Sequence, residues 1–107
     1  MSVCIILSSP DKRKIWIDSL NAEGIRASEY YGKAVYECGI FSRPKVFHAG
    51  VSAGEIYDLH PVQRGTCPKT EDIARRTVWI TLSPKLEESD AELIVRAVRK
   101  VLNHFGG

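Results

Sequence analysis

Residues 67–105 read CPKTEDIARRTVWITLSPKLEESDAELIVRAVRKVLNHF, and this stretch decides the fold class. At 77–82 the aliphatic residues Val78, Ile80 and Leu82 alternate with Thr77, Trp79 and Thr81. Alternation with period two puts one set on each side of a strand, so an aliphatic inner face is expected here. Ser83-Pro84 supplies the turn. Beyond it Ala91, Ile94, Val95, Val98, Val101, Leu102 and Phe105 recur at steps of three and four. Those steps build one apolar stripe along a helix, with Glu92, Arg96, Arg99, Lys100 and Asn103 on the wet side. Ser89 and Glu92 have capping-box spacing, and Gly106 stands where a helix ends. Upstream, residues 70–75 predict a short helix whose first turn holds Glu71 and Asp72, acids that suit the positive end of the dipole.

Outward from this block, residues 3–7 (VCIIL) form an unbroken apolar run, the pattern of a strand buried on both faces. Ser9-Pro10-Asp11 is a helix start: a capping hydroxyl, a proline for the first position, an acid for the dipole. Trp16, Ile17 and Leu20 share one face of that helix, and Gly24 ends it. Residues 25–31 predict a half-exposed strand. Residues 32–66 are irregular and insertion-like, punctuated by Gly32, Gly39, Pro44, Gly50, Gly54, Pro61 and Gly65. A long structureless loop is rare in a compact domain, so a short helix at 52–59 and a strand at 45–48 are expected within them. The fold class is α/β of the α+β type, as one domain over 1–107. It has a small, mostly antiparallel sheet of three to four strands with helices packed on one face. The order is strand, helix, strand, irregular region with short helices, strand, helix.

The chain has 107 residues, 44% of them hydrophobic and 26% charged, with a formal net charge of +2. That composition is typical of a soluble globular domain. A nucleic-acid-binding domain concentrates a basic excess on one face. Here acids interrupt the bases, as at Asp11-Lys12-Arg13-Lys14 and Glu71-Asp72 before Arg75-Arg76, so no nucleic-acid partner is expected. The run at 3–7 is shorter than the h-region of a secretory signal, and nothing approaches the ~20 apolar residues that span a bilayer. Cys4, Cys38 and Cys67 cannot all pair within one chain, and without a secretion signal they read as reduced thiols in a cytoplasm.

The other constellations are weak. Cys38, His48, His60 and Cys67 are soft or borderline metal ligands, but their wide separations lack the close pairs that nucleate a zinc site. Cys67 precedes a helix, where the dipole would lower a thiol pKa; a small residue before a proline is the simpler reading. Residues 49–55 (AGVSAGE) look like a loose phosphate loop without the Gly-Lys-Ser/Thr ending that supplies charge and a magnesium ligand. Trp16 and Trp79 are expected in the core or on a sheet face, with an interface as the alternative.

Three words of the sequence, in order, resemble the C-terminal small domain of the DegT/StrS-type sugar aminotransferases, pyridoxal phosphate enzymes of fold type I. Lys12-Arg13 through Ala22-Glu23-Gly24-Ile25 resembles the family's basic helix and its "Leu-x-x-x-Gly-Ile" turn. Cys67-Pro68-x-x-Glu71-Asp72-Ile73-Ala74-Arg75-Arg76 resembles its "Cys-Pro-x-Ala-Glu" helix. Leu82-Ser83-Pro84-Lys85-Leu86 through Asp90 resembles its "Leu-x-Pro-x-Leu-(acidic)-Asp" turn. The likeness covers most of the chain except residues 38–66. It departs from the family at 30–35, where "His-Tyr-x-Pro-Leu-His" is replaced by Tyr30-Tyr31-Gly32-Lys33-Ala34-Val35 and only Tyr31 matches.

In that family the Schiff-base lysine, the phosphate cradle and the partner of the pyridine nitrogen belong to a larger domain. The resemblance therefore implies no catalytic, cofactor or metal residue in this chain, with pyridoxal phosphate relevant only if a separate large domain supplies its site. It implies a free-standing, non-catalytic cytoplasmic domain acting by self-association, as a homodimer, or with an unidentified protein partner, and no membrane. Tyr30, Tyr31, Lys33, Tyr36 and Phe41 are the expected interface or ligand surface. Two alternatives stand beside it: a small-domain subunit completing a split aminotransferase, and a small-molecule binding module using a pocket near Tyr31 and Lys33.

Overall fold

A computed structural model describes residues 1–38 and 64–107. The chain divides into two compact units, one made of Met1–Gly32 with Arg75–Gly107 and the other of Lys33–Ala74.

The first unit is built on a three-stranded antiparallel sheet in the order β1-β3-β2. Its strands are β1 (Ser2–Ile6), β2 (Ala27–Ser28) and β3 (Thr77–Thr81). The register pairs Cys4 with Trp79 and Ile5 with Val78 on one side, and Ala27 with Ile80 on the other. Residues directly opposite one another share a face, so Val3, Ile5, Val78, Ile80 and Ala27 look one way while Ser2, Cys4, Ile6, Trp79 and Ser28 look the other. Two helices of this unit cover the first of these faces. They are α1 (Arg13–Ala22), entered through a single 3-10 turn at Pro10–Lys12, and α3 (Glu88–Phe105). Leu7, Trp16, Leu20, Ala27, Val78, Ile80 and Val101 form the core between the layers. The α+β fold with a small antiparallel sheet and helices on one face agrees with the sequence.

Several local expectations hold. Ser9 accepts the Asp11 N–H at 3.3 Å ahead of Pro10, and Gly24 takes φ +84 after α1. Gly106, at φ +72, ends α3 and returns its N–H to the Leu102 carbonyl at 2.8 Å. Residues 83–86 make the anticipated turn, with the Lys85 N–H on the Ser83 hydroxyl and the Leu86 N–H on the Ser83 carbonyl.

Other expectations are corrected. The run at 3–7 is not buried on both faces: β1 is an edge strand, with Val3 48% and Ile6 54% exposed and only Leu7 fully covered. The reason is strand order, since β3 takes the centre and, among the described strands, leaves β1 a neighbour on one side only. The strand expected at 25–31 shrinks to Ala27–Ser28. It stops because Tyr31 and Gly32 adopt φ +49 and +65, a left-handed pair that turns the chain out of the sheet. The positive φ of Gly32 is one that glycine adopts without the cost a side chain would bring.

The start of α3 also differs. Its helix begins at Glu88, and the backbone N–H of Glu87 donates to the Asp90 carboxylate at 3.1 Å. The capping box therefore uses 87 and 90 rather than Ser89 and Glu92. Only Ala97 and Val101 of α3 are fully buried, while Val95 and Leu102 of the expected stripe remain 48% and 43% exposed.

Within the second unit Val35–Glu37 forms a 3-10 turn. Helix α2 (Pro68–Arg76) begins at the Cys67-Pro68 word and carries Glu71 in its first turn, longer at both ends than expected. The short helix expected at 52–59, the strand at 45–48 and Phe41 lie outside the described residues.

Candidate functional site

The sheet face turned away from α1 and α3 carries an aromatic cluster. Trp79 points to that face because its neighbours Val78 and Ile80 point into the core. Tyr30 follows the end of β2 and lies flat on Trp79, with ring centroids 4.3 Å apart and planes at 17°. Tyr31 meets Tyr30 edge-on at 4.4 Å. Such offset and edge-to-face geometries follow from the ring quadrupole and hold the rings in fixed positions. The turn beneath them is pinned twice. The Gly32 N–H reaches back to the Tyr30 carbonyl at 2.5 Å, and Glu29 pairs with Arg13 at 2.9 Å. Tyr30 and Tyr31 nevertheless leave 49% and 68% of their surface exposed. An ordered, exposed aromatic cluster is the composition enriched at protein interfaces.

The structure brings two of the five anticipated residues together here, Tyr30 and Tyr31. Lys33 and Tyr36 belong to the second unit, where Lys33 is exposed and Tyr36 is half-buried. The Tyr36 hydroxyl donates to Glu71 Oε1 at 2.6 Å and accepts the Cys67 N–H at 3.1 Å. The same carboxylate oxygen takes the Gly65 N–H at 2.6 Å. Burial, reinforced by the Glu71 carboxylate, pushes the Tyr36 phenol from 10.0 up to about 12, with the Cys67 N–H pulling the other way. Tyr36 is thus engaged within its own unit and serves as a clasp around the buried Glu71.

A cleft of about 1020 Å3 opens in the first unit where α3 runs past the end of α1 and over the start of β2. Arg26, Lys85 and Arg96 stand around it with Asp90 and Leu93, and Lys100 is held across its rim by Glu23 at 2.5 Å. Tyr31 and Lys33 do not line it. Cys4 and Cys67 are exposed and Cys38 half-buried, all as free thiols. Among the described residues no cluster of three or more His, Cys, Asp or Glu side chains could hold a metal ion. Among those residues no helix is long and apolar enough to cross a membrane.

Two positioning residues escaped the sequence reading. Asn21 donates from Nδ2 to the carbonyls of Ile17 and Ala27, both at 2.8 Å, and its Oδ1 accepts the Ala27 N–H at 3.3 Å. It ties the last turn of α1 to β2 and so fixes where Tyr30 emerges. Trp16 Nε1 donates to the Gly106 carbonyl at 2.9 Å, while Ser8 and Lys12 reach the Gly107 carbonyl, drawing the end of α3 onto the first turns of α1. No local motif announces either bond; both depend on residues that meet only after folding.

Compared with protein-family models, with curated proteins and with solved structures, the chain matches none.

Proposed function

We propose that this chain is a non-catalytic association domain, related to the small domain of the DegT/StrS aminotransferases and working through contact with another protein surface. The observation that carries the reading is the Tyr30–Trp79 stack with Tyr31 edge-on, ordered yet about half exposed. Aromatic side chains fixed before binding lose little conformational freedom on binding, which suits them to be anchors at an interface. Exposed apolar side chains at Val3, Ile6, Val95 and Leu102 extend the surface available for contact. Light scattering over a range of protein concentrations tests the reading. A mass above the 12.0 kDa of one chain is the expected result. A mass that stays at one chain throughout would refute self-association.

The alternative is a small-domain subunit that completes a pyridoxal phosphate enzyme. Tyr31 favours it, being the residue that matches the family's substrate-side word while held at the uncommon φ of +49. Such strain in a non-glycine residue is most often retained where a side chain has to be aimed. Co-expression with a chain carrying the cofactor domain would form a stable complex under this alternative and none under the first.

A further inference from the structure

The sheet of the first unit is too narrow for its helix layer. Packed helices stand roughly 8–10 Å apart, whereas adjacent strands stand roughly 4.8 Å apart. Two helices side by side therefore cover about four strands, and this sheet has three among the described residues. Helix α1 lies over β2 and β3, and α3 lies beside it, joined to it by the Lys100–Glu23 pair and the Trp16–Gly106 bond. The flank of α3 away from those bonds carries Glu88, Ala91, Glu92, Val95, Arg99 and Leu102. A Cβ built on Gly107 would stand 3.3 Å from Leu102, so the two are neighbours, and the Gly107 carbonyl takes the hydroxyl of Ser8 just past β1. The C-terminal end of that flank thus lies beside the chain just past β1.

Among the described residues the outer edge of β1 is open. The Leu7 N–H bonds the Arg76 carbonyl and the Leu82 N–H bonds the Met1 carbonyl. Antiparallel alternation then turns the N–H and C=O groups of Met1, Val3, Ile5 and Leu7 toward β3, and those of Ser2, Cys4 and Ile6 outward. No described strand pairs with them. The edge bears no charge, proline or bulge, the devices by which proteins usually protect such an edge.

We propose that a second copy of this chain occupies this edge, β1 against β1 in antiparallel register about a two-fold axis at Cys4. The proposal rests on the association reading above and names its partner and its surface. Among registers joining outward-facing groups, the one centred on Cys4 pairs all five residues of the strand: Ser2 with Ile6, Val3 with Ile5, and Cys4 with its own copy. It continues the sheet to twice its width and fills the missing strand position under each α3. The axis stands perpendicular to the sheet, so the two α3 helices meet side by side and run in opposite directions. Charge agrees with that arrangement. On the exposed flank Glu88 and Glu92 lie toward one end and Arg99 toward the other, so antiparallel copies set acid beside base while parallel copies would set like against like. Val95 and Val3, about half exposed in a single chain, become buried at the seam.

Disulfide trapping tests the register. In the Cys38→Ser, Cys67→Ser background, which keeps Cys4, mild oxidation with copper–phenanthroline should link two chains. A hydrogen-bonded antiparallel pair places its Cα atoms roughly 5.5 Å apart, inside the range a disulfide spans. Val95→Glu, at a position exposed in the single chain, should weaken dimerisation at least tenfold and abolish the Cys4 link with an unchanged circular dichroism spectrum. A wild-type chain that stays at 12.0 kDa at every concentration overturns this proposal and self-association together. A dimer that resists Val95→Glu, gives no Cys4 link and dissociates with Tyr31→Ser overturns the edge alone and leaves the association reading intact.

Discussion

Replacing Trp16 by Phe isolates what the indole contributes to joining the two ends of the first unit. Trp16 is 1% exposed, packs in the core with Leu7, Leu20 and Val78, and donates to the Gly106 carbonyl at 2.9 Å. Phenylalanine keeps an aromatic ring and the helical rotamer but removes the donor and part of the volume. A residual void of a few tens of Å3, at roughly 24 cal/mol per Å3, costs about 1 kcal/mol. The lost bond leaves a half-buried carbonyl without its donor, for about 1–2 kcal/mol more. The sum is roughly 2–3 kcal/mol, which for a chain of this length lowers the melting temperature by about 10 °C.

Urea unfolding followed by the fluorescence of Trp79 reads the effect. Trp79 lies in the same unit and is retained in the variant, so the signal reports that unit. A second background, truncated after Phe105, removes the acceptor. There Trp16→Phe should cost only the packing share, and the difference between the two backgrounds measures the bond. Equal losses in both backgrounds would refute the role of the Gly106 carbonyl. A loss below about 0.5 kcal/mol in the full chain would refute the burial argument itself.

Leu20→Ala, at a fully buried position, should destabilise the first unit by roughly 2–5 kcal/mol in the same assay. Asn21→Ala leaves the Ala27 backbone short of both partners and should cost about 2 kcal/mol, with faster amide exchange at Ala27 than at Ile80 as the local signature. The Tyr36 phenol, raised to about 12 against 10.0 unfolded, favours the folded state while protonated, so its contribution is complete below pH 10 and is lost as pH rises from there toward 12. Absorbance titration at alkaline pH should show a late phenol that Tyr36→Phe removes and that Glu71→Gln moves down, since the amide keeps an acceptor without the charge.

The elements carried by long periodic patterns were legible in the sequence, and those set by neighbours were not. Val78 and Ile80 alternate with Thr77 and Trp79, and nothing but a strand uses that spacing well, so β3 falls where expected. The apolar run at 3–7 has the same signature whether its strand is central or at an edge. Its exposure is decided by β3, more than seventy residues away, which takes the centre of the sheet. The stripe on α3 shows which side of the helix is apolar; the number of strands beneath decides how much of it is covered. Residues 25–31 look extended by composition, but a left-handed pair at Tyr31-Gly32 overrides that preference and cuts β2 to two residues. The aromatic cluster was half visible. Tyr30 and Tyr31 are conspicuous as a pair, whereas their platform, Trp79, is identified only by the register that sets it opposite Ser28.

Edge pairing and face binding are compatible, and together they make a testable whole. The proposed two-fold axis stands perpendicular to the sheet, so it keeps both helix layers on one side and both aromatic clusters on the other. Each copy then presents Tyr30 and Tyr31 on the same broad surface, with Cys4 and Ile6 from the joined edges between them. A single chain offers one pair of tyrosines with a small apolar surround; the pair of chains offers two in fixed geometry. A third protein that contacts both clusters would gain from the second contact being intramolecular, and its affinity would rise with no change in either site. Separation of function follows from the geometry. Val95→Glu lies on the helix side and removes the doubling while leaving each cluster whole. Tyr31→Ser lies on the opposite face and weakens the contact while leaving the pairing of β1 untouched.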